Sequence, residues 1–182
     1  MRLPPLYKKL LALTAVIGPM FWLLVTEDGR RRTDMLMLWF FGEPQVSMAL
    51  EQLRDDLGEA ELRRVYPQLA LVCEDRESAF GRRSCKAPIS GFNEVPAHYL
   101  AFFLTDDRLT ALKAGYRSNY HDSMVATMRR MLGVPVGAGD SPALSWPAGA
   151  GVVLLPREAV ADKEESALLW LGPTLAAQRR TP

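Results

Sequence analysis

The sequence predicts an α+β domain with a mainly antiparallel sheet, preceded by an N-terminal transmembrane helix. Three observations carry this prediction: an uncharged run over residues 10–25, apolar runs of strand length separated by turn signals between residues 69 and 171, and one long amphipathic pattern over residues 120–132. Short helices come first, then about four strands, a helix and about three strands. That order is typical of an α+β fold whose amphipathic helix packs on the sheet.

The uncharged run over residues 10–25 predicts a membrane anchor that contacts lipid. As a helix its sixteen residues rise about 24 Å, whereas crossing roughly 30 Å of hydrocarbon usually takes about 20 residues. No small-x-small cleavage motif follows the run, which favours an uncleaved signal-anchor. A cleaved signal peptide and a buried helix of a soluble domain are the alternatives. The anchor is defined by Leu10, Val16, Phe21, Trp22 and Val25.

The composition describes one globular domain after the anchor. The chain is 48% apolar and 24% charged, which argues against disorder, and the segment after residue 32 is about 150 residues long, the size of a single domain. Residues 1–32 carry six basic and two acidic side chains, and residues 33–182 carry sixteen basic and nineteen acidic ones. The domain is therefore mildly acidic, which excludes nucleic acid as a partner, since that requires a basic face.

The location of the domain depends on its two cysteines. Three basic residues stand on each side of the anchor, so the positive-inside rule does not set its orientation. A disulfide between Cys73 and Cys85 suits an oxidising compartment. We therefore expect a single-pass protein of the inner (cytoplasmic) membrane with a periplasmic C-terminal domain. Two free thiols in a cytosolic domain are the alternative.

Residues 33–65 predict three short helices. An N-cap at Thr33 or Asp34 precedes an apolar run over residues 35–41. The second helix follows Pro44, has apolar residues at helical spacing and ends at Gly58. The third covers Glu59–Val65, with charged residues on its exposed face.

Strands dominate the remainder of the domain. Two are expected over residues 69–73 and 85–93, and a third and fourth form a hairpin around Asp106 and Asp107. The amphipathic helix over residues 120–132 ends at Gly133. A second hairpin covers residues 144–146 and 152–155, and a closing strand covers 167–171. The domain is predicted to end at residue 172, with a flexible tail over 173–182.

The sequence contains no catalytic, metal-binding or nucleotide-binding motif, and we expect no cofactor. His98, before an aromatic strand, and His121, beside Asp122 at the start of the long helix, form the candidate polar site. Adjacent residues of a helix point in different directions, so His121 and Asp122 need partners from elsewhere to form a relay. A membrane-tethered hydrolase that uses His121 or His98 is therefore an alternative function.

The charged stretch between the cysteines predicts a partner-binding loop, because loops on a rigid sheet often carry function. A solvated connector is the alternative. The residues of this candidate interaction loop are Glu74, Arg76, Phe80 and Arg82. Together with the anchor, the loop leads us to expect a non-catalytic domain that contacts a protein partner in the cell envelope, as an assembly or accessory factor. A small-ligand or lipid-binding domain would instead show an apolar pocket between sheet and helix.

Overall fold

The computed structural model describes residues 13–19, 21, 26, 40, 42–136, 141–160 and 165–178, and the chain divides into two compact units, Met1–Gly42 and Glu43–Pro182. In the first unit, residues 13–19 and 21 are helical, and Val16 and Phe21 are exposed. No helix among the described residues combines the length and hydropathy needed to cross a bilayer. Leu10, Trp22 and Val25 of the predicted anchor lie outside the described residues, as does most of the helix expected over residues 35–41.

The second unit is built on a seven-stranded antiparallel sheet and a small three-stranded sheet. The strands are β1 (Gln45–Val46), β2 (Val72–Ser78), β3 (Gly81–Pro88), β4 (Gly91–Phe92), β5 (Val95–Pro96), β6 (Tyr99–Thr105), β7 (Arg108–Tyr116), β8 (Ala143–Ala148), β9 (Gly151–Pro156) and β10 (Ser166–Leu171). The large sheet has the order β2-β3-β6-β7-β10-β9-β8, and the small one the order β1-β4-β5. The second unit also contains three α-helices among the described residues: α1 (Glu59–Val65), α2 (His121–Leu132) and α3 (Pro173–Gln178). The α+β prediction with a large antiparallel sheet is confirmed.

The large sheet consists of two meanders joined along a single seam. The chain runs through β2, β3, β6 and β7, passes through α2, and enters the far edge of the sheet at β8 before returning through β9 to β10. There β10 pairs antiparallel with β7, from Ser166 opposite Tyr116 to Leu171 opposite Ala111. The predicted order of four strands, a helix and three strands is confirmed.

One face of the large sheet, here called the inner face, forms the hydrophobic core. Phe102, Leu112 and Trp170 are neighbours across β6, β7 and β10, and none is exposed to solvent. Met124 and Met128 of α2 belong to the same core cluster and are equally buried. Burying a side chain of this size stabilises a fold by roughly 1.5–3 kcal/mol. The predicted packing of the amphipathic helix against the sheet follows from these contacts.

The hairpin between β6 and β7 has the turn that its sequence predicts. Asp106 and Asp107 have φ values of 51° and 56°. Two central residues with positive φ define a type I′ turn, whose twist matches that of the flanking strands, and Asp tolerates this conformation better than most residues. The short loop therefore fixes the register of the hairpin.

The helix predicted between Pro44 and Gly58 is not formed; the chain there contains β1 and a 3₁₀ turn over Leu50–Gln52. Val46, Leu50 and Leu53 are buried, so their spacing reflects burial rather than helical periodicity. A distant residue imposes this path. Buried Asn93 accepts a hydrogen bond from Met48 N at 2.7 Å and donates one to Met48 O at 3.1 Å, which holds the backbone extended beside β4.

Two boundaries also differ from the prediction. The expected charged loop over residues 74–83 is mostly strand, because β2 and β3 continue to a short turn around Phe80 and pair from Val72–Lys86 to Ser78–Gly81. The expected flexible tail includes α3, which begins at Pro173, a residue whose fixed φ suits a first helical turn. Ala176 of α3 is buried with Ala111 and Leu171. The third predicted N-terminal helix is confirmed as α1.

Candidate functional site

The second face of the large sheet, here called the outer face, is only partly covered. Its first row crosses β3, β6, β7, β10 and β9 through Lys86, Ala101, Lys113, Leu169 and Leu154. Its second row crosses the same strands through Ser84, Phe103, Ala111, Leu171 and Val152. The six-residue helix α3 packs on Ala111 and Leu171, while Phe103, Leu154 and Leu169 are only partly buried. This face therefore keeps apolar area within reach of a partner.

Two lysines of the outer face approach one tyrosine ring. Lys86 Nζ lies 3.9 Å from the centroid of the Tyr99 ring, and Lys113 Nζ lies 5.6 Å from it. Ala101 is directly opposite both lysines in the sheet register, and only 5% of it is exposed. Tyr99, Ala101 and Phe103 alternate along β6, so they share this face. The result is a notch with Ala101 as its floor, flanked by Lys86, Lys113, Tyr99 and Phe103, here called the Ala101 notch.

A glycine on the neighbouring strand makes room for this arrangement. A Cβ atom on Gly115 would collide with the Tyr99 ring and with the carboxylate of Glu165. The hydroxyl of Tyr99 interacts with Lys113 and Glu165; burial raises the pKa of Tyr99, whereas the hydrogen bond to Lys113 lowers it. In the described part of the chain, neither Lys86 nor Lys113 forms an ion pair with a carboxylate.

The predicted disulfide is present. Cys73 and Cys85 are opposite each other on β2 and β3 and are bonded, with Cα atoms 3.9 Å apart. Around it, Arg83 Nε donates to Glu59 Oε2 at 2.8 Å, and Arg63 Nη2 donates to Glu59 Oε1 at 2.9 Å. The hydrogen bond from Arg83, then that from Arg63, lowers the pKa of the Glu59 carboxyl.

Among the described residues, one group of three potential metal ligands has its ligand atoms close together, namely Glu59, Cys73 and Cys85. Bonded sulfurs offer no thiolate, and two guanidinium groups already hold the carboxylate. A cation gains little there, because thiolates are the form of cysteine that ligates metals. The cluster instead ties α1 to the β2–β3 hairpin.

The residues of the candidate interaction loop lie on the two strands of the β2–β3 hairpin and on the turn between them. Glu74 and Arg76 are exposed on β2, the edge strand. Phe80, in the turn, packs against Phe103 with ring centroids 5.3 Å apart and so borders the outer face. Arg82 lies 3.7 Å from Asp106 of the adjacent hairpin.

The candidate polar site is not brought together in one cluster. His121 is 3% exposed, and its Nδ1 hydrogen-bonds the Tyr116 hydroxyl at 3.0 Å. Its Nε2 atom is buried without a hydrogen-bond partner among the described residues. Asp122, the next residue of α2, is exposed. Burial strongly raises the pKa of Tyr116, and this buried pair was not expected from the sequence.

His98 lies elsewhere, on an exposed bend before β6, where its backbone N donates to Gly115 O at 2.8 Å. Partial burial of the imidazole ring lowers the pKa of His98. The positive charge of Arg117 lowers this pKa further, whereas the negative charge of Glu165 raises it. Among the described residues, neither histidine shares a group of metal-ligand side chains with Asp122.

Both edges of the large sheet are unsuited to strand addition. The β2 edge carries Glu74, Asp75, Arg76 and Glu77, and charged side chains on an edge strand discourage pairing with another chain. The β8 edge contains Pro147, which has no N–H to donate, and is bridged by Val136, whose N donates to Ser145 O at 2.8 Å. Partner contacts therefore suit the faces of the sheet better than its edges.

A cleft of about 360 Å³ lies between the end of α2 and β8. Leu144 and residues 134–136 supply apolar walls, and Arg129 and Arg157 contribute guanidinium groups. Val134 and Val136 are 88% and 57% exposed. The cleft thus lies at the β8 edge of the sheet, beside the end of α2.

No family model, curated protein or solved structure matches this chain. What the domain does is therefore inferred from its own geometry.

Proposed function

We propose that this chain is a membrane-tethered, non-catalytic protein-binding domain that acts in the periplasm as an envelope assembly or accessory factor. The observation that carries the binding role is the difference between the two faces of the sheet. The apolar residues at the centre of the inner face are buried in the core cluster with α1, α2 and the segment that contains β1, whereas the outer face keeps Phe103, Leu154 and Leu169 partly exposed beside two lysines. Partly exposed apolar area with a polar border is typical of interaction surfaces.

The proposed location is supported by the disulfide and by hydropathy. The Cys73–Cys85 bond suits an oxidising compartment such as the periplasm. Residues 10–25 contain no charge, and Leu13, Val16 and Ile17 within them are exposed. Lipid contact would remove these side chains from water.

The hydrolase alternative has less support from the geometry of the described residues. His121 is buried and hydrogen-bonded to Tyr116, and the charged groups that act on His98 are Arg117 and Glu165. A nucleophile needs a base within hydrogen-bond reach. The cleft beside Leu144 favours a small apolar ligand as the second candidate function, and saturable, stoichiometric binding of an environment-sensitive apolar dye that Leu144→Arg abolishes would support it.

Two measurements on intact cells test the proposal. Thiol labelling of Cys73 and Cys85 by a membrane-impermeant reagent should require prior reduction, as a periplasmic disulfide demands. A photo-crosslinking side chain at position 103 should then give one discrete protein adduct, with the exposed position 54, outside the sheet and the candidate interaction loop, as the matched control. Labelling without reductant would contradict the disulfide, and no labelling after reduction with an impermeant reductant would contradict the compartment. Equal or absent adducts at the two positions would contradict the binding face.

A further inference from the structure

We infer that the Ala101 notch binds carboxylate side chains of an acidic, partly apolar segment of the protein partner. The inference rests on the proposed function, since it names the chemistry of the partner at the outer face. The central observation is that two ammonium groups converge on one tyrosine ring and that neither forms an ion pair within the described part of the chain, although Glu165 bonds the hydroxyl of the same tyrosine.

The charge at the notch is unusual for this domain. After residue 32 the acidic side chains outnumber the basic ones, and Lys86 and Lys113 are two of only three lysines there. Arginines elsewhere are held by carboxylates: Arg63 and Arg83 by Glu59, Arg64 by Glu61, and Arg108 by Asp55. The two lysines of the notch instead face the π-system of Tyr99, which attracts cations, and the one carboxylate that engages this tyrosine, Glu165, cannot balance two ammonium groups.

The dimensions of the notch suit an extended chain. Lys86 and Lys113 are separated by two strand spacings, about 10 Å between backbones, and the short side chain of Ala101 leaves the space between them open. Each ammonium offers three hydrogen-bond donors. Alternate side chains of an extended segment point the same way about 7 Å apart, so two carboxylates of one segment can meet the two lysines.

The apolar side chains beside the notch complete the site. Phe103 lies on one side of Ala101 along β6, and Leu169 follows Lys113 in the same row. Both are partly buried. Charged contacts at a rim contribute mostly selectivity and association rate, so the affinity must come from apolar side chains that cover Phe103 and Leu169. The occupant is therefore an extended segment that presents acidic and apolar side chains on the same face, at every second residue.

An anionic membrane surface suits the notch less well. Lipid-binding patches usually gather 4–8 basic residues, whereas this one has two lysines in a domain with more acidic than basic side chains. The neighbouring charged groups are mixed: Glu165 engages the Tyr99 hydroxyl, and Arg117 and His98 lie toward the same end of the sheet. A narrow recess with two lysines suits acidic side chains better than it suits the flat surface of a bilayer.

The test uses the full chain in a zwitterionic detergent and a labelled, capped Glu/Leu peptide in which glutamate and leucine occupy every second position and serine the positions between them, so that both residue types lie on one face of the extended chain. Fluorescence anisotropy should show saturable binding that weakens with salt, and the Gln/Leu peptide should bind about tenfold more weakly. The double variant Lys86→Glu/Lys113→Glu should lose binding by a similar factor. The matched control Arg54→Glu/Arg64→Glu changes net charge equally on exposed arginines elsewhere and should bind as the wild type does. Circular dichroism verifies that both variants fold.

Equal affinity for the Glu/Leu and Gln/Leu peptides, or equal losses in both double variants, would overturn the inference. So would binding to phosphatidylglycerol-containing vesicles that Lys86→Glu/Lys113→Glu abolishes, since the notch would then be a lipid site. The outcome for the proposed protein-binding role can be distinguished from the outcome for the Ala101 notch. A discrete adduct at position 103 that persists in Lys86→Glu/Lys113→Glu keeps the protein-binding role and rejects the notch, whereas peptide binding without any adduct in cells rejects the role.

Discussion

Asp107 caps a helix that begins 48 residues earlier in the chain: its Oδ1 accepts a hydrogen bond of 2.8 Å from the backbone N of Glu59. Gly58, at the N-cap position of α1, has no side chain to serve that purpose, and a Cβ atom there would collide with the Asp107 carboxylate. The turn of one hairpin thus supplies the cap of a separate helix. This contact links α1 to the β6–β7 hairpin.

Substitutions at Asp107 should separate its two roles. Asp107→Ala should cost about 1 kcal/mol for the lost cap, and further stability because alanine disfavours the positive φ. Asp107→Gly removes the cap but suits the turn, so it should cost less than Asp107→Ala. Asp107→Asn should be nearest to the wild type. Urea unfolding of the three variants checks this order, and an equal cost for all three would contradict it.

Gly58→Ala should destabilise the domain through its collision with Asp107. Combining it with Asp107→Gly should remove the collision with the carboxylate and leave only the approach to the backbone O of residue 107 at 2.9 Å, so the double variant should lose less stability than the sum of the single variants. A double-mutant cycle from urea unfolding measures this coupling. Strict additivity would show that the two residues do not interact.

The disulfide should contribute about 3 kcal/mol, the chain-entropy value for a loop of this length. Replacing both cysteines by alanine should therefore lower the free energy of unfolding by roughly that amount. Dithiothreitol should lower the stability of the wild type to a similar level and leave the double variant unchanged. Unfolding curves with and without reductant provide the measurement, and insensitivity of the wild type to complete reduction would refute it.

Tyr116 should make the domain sensitive to alkali. Burial raises its pKa in the folded state, so the folded protein holds this proton more tightly than the unfolded chain does. The resulting stability is fully present below the unfolded pKa of about 10 and is lost as pH rises through the folded pKa. Tyr116→Phe should remove this part of the decline, even though it loses the hydrogen bond to His121. Unfolding free energies between about pH 8 and pH 11 test it, and parallel declines would count against it.

The ionised carboxylate of Glu59 should stabilise the domain, and this contribution should be lost at acidic pH. Its pKa is lowered by Arg83 and then Arg63, so its contribution is present above the unfolded pKa of about 4.3 and is lost as pH falls through the folded pKa. Glu59→Gln should cost up to about 1 kcal/mol at neutral pH and little near pH 3. Glu61→Gln is the matched control, because Glu61 bonds only Arg64 within the same helix. A larger loss at Glu61 would contradict the role of the α1–β3 contact.

The sequence correctly predicted the elements whose conformation is set by residues close by in the chain. Asp106 and Asp107 identify the type I′ turn, and Gly133, with a φ of 83°, marks the end of α2. The cysteine pair predicted its disulfide. The helix expected between Pro44 and Gly58 was wrong because its path depends on Asn93, 45 residues away from Met48. Side-chain spacing reports which residues are buried, and a tertiary hydrogen bond decides the backbone conformation.

The Ala101 notch was missed for a related reason. Lys86 and Lys113 each look like an isolated exposed residue on a strand. They become neighbours only through the register that places Ala101 opposite both. The separation of Tyr99, Ala101 and Phe103 by two residues was visible in the sequence, but not which lysines would flank them. Functional surfaces on sheets depend on cross-strand register, which a single strand does not encode.

The seam between β7 and β10 sets the order in which this domain can be completed. When the chain emerges from its N-terminus, the β2-β3-β6-β7 meander is available first. The edge of β7 then stays unpaired until β10 is available, and β10 begins only at Ser166. Neither β9 nor β8 has a place in the sheet until β10 is paired, because β10 lies between them and β7. Such late, long-range pairing slows folding and leaves an exposed edge meanwhile. The domain can therefore complete its sheet only after almost all of its strands are available.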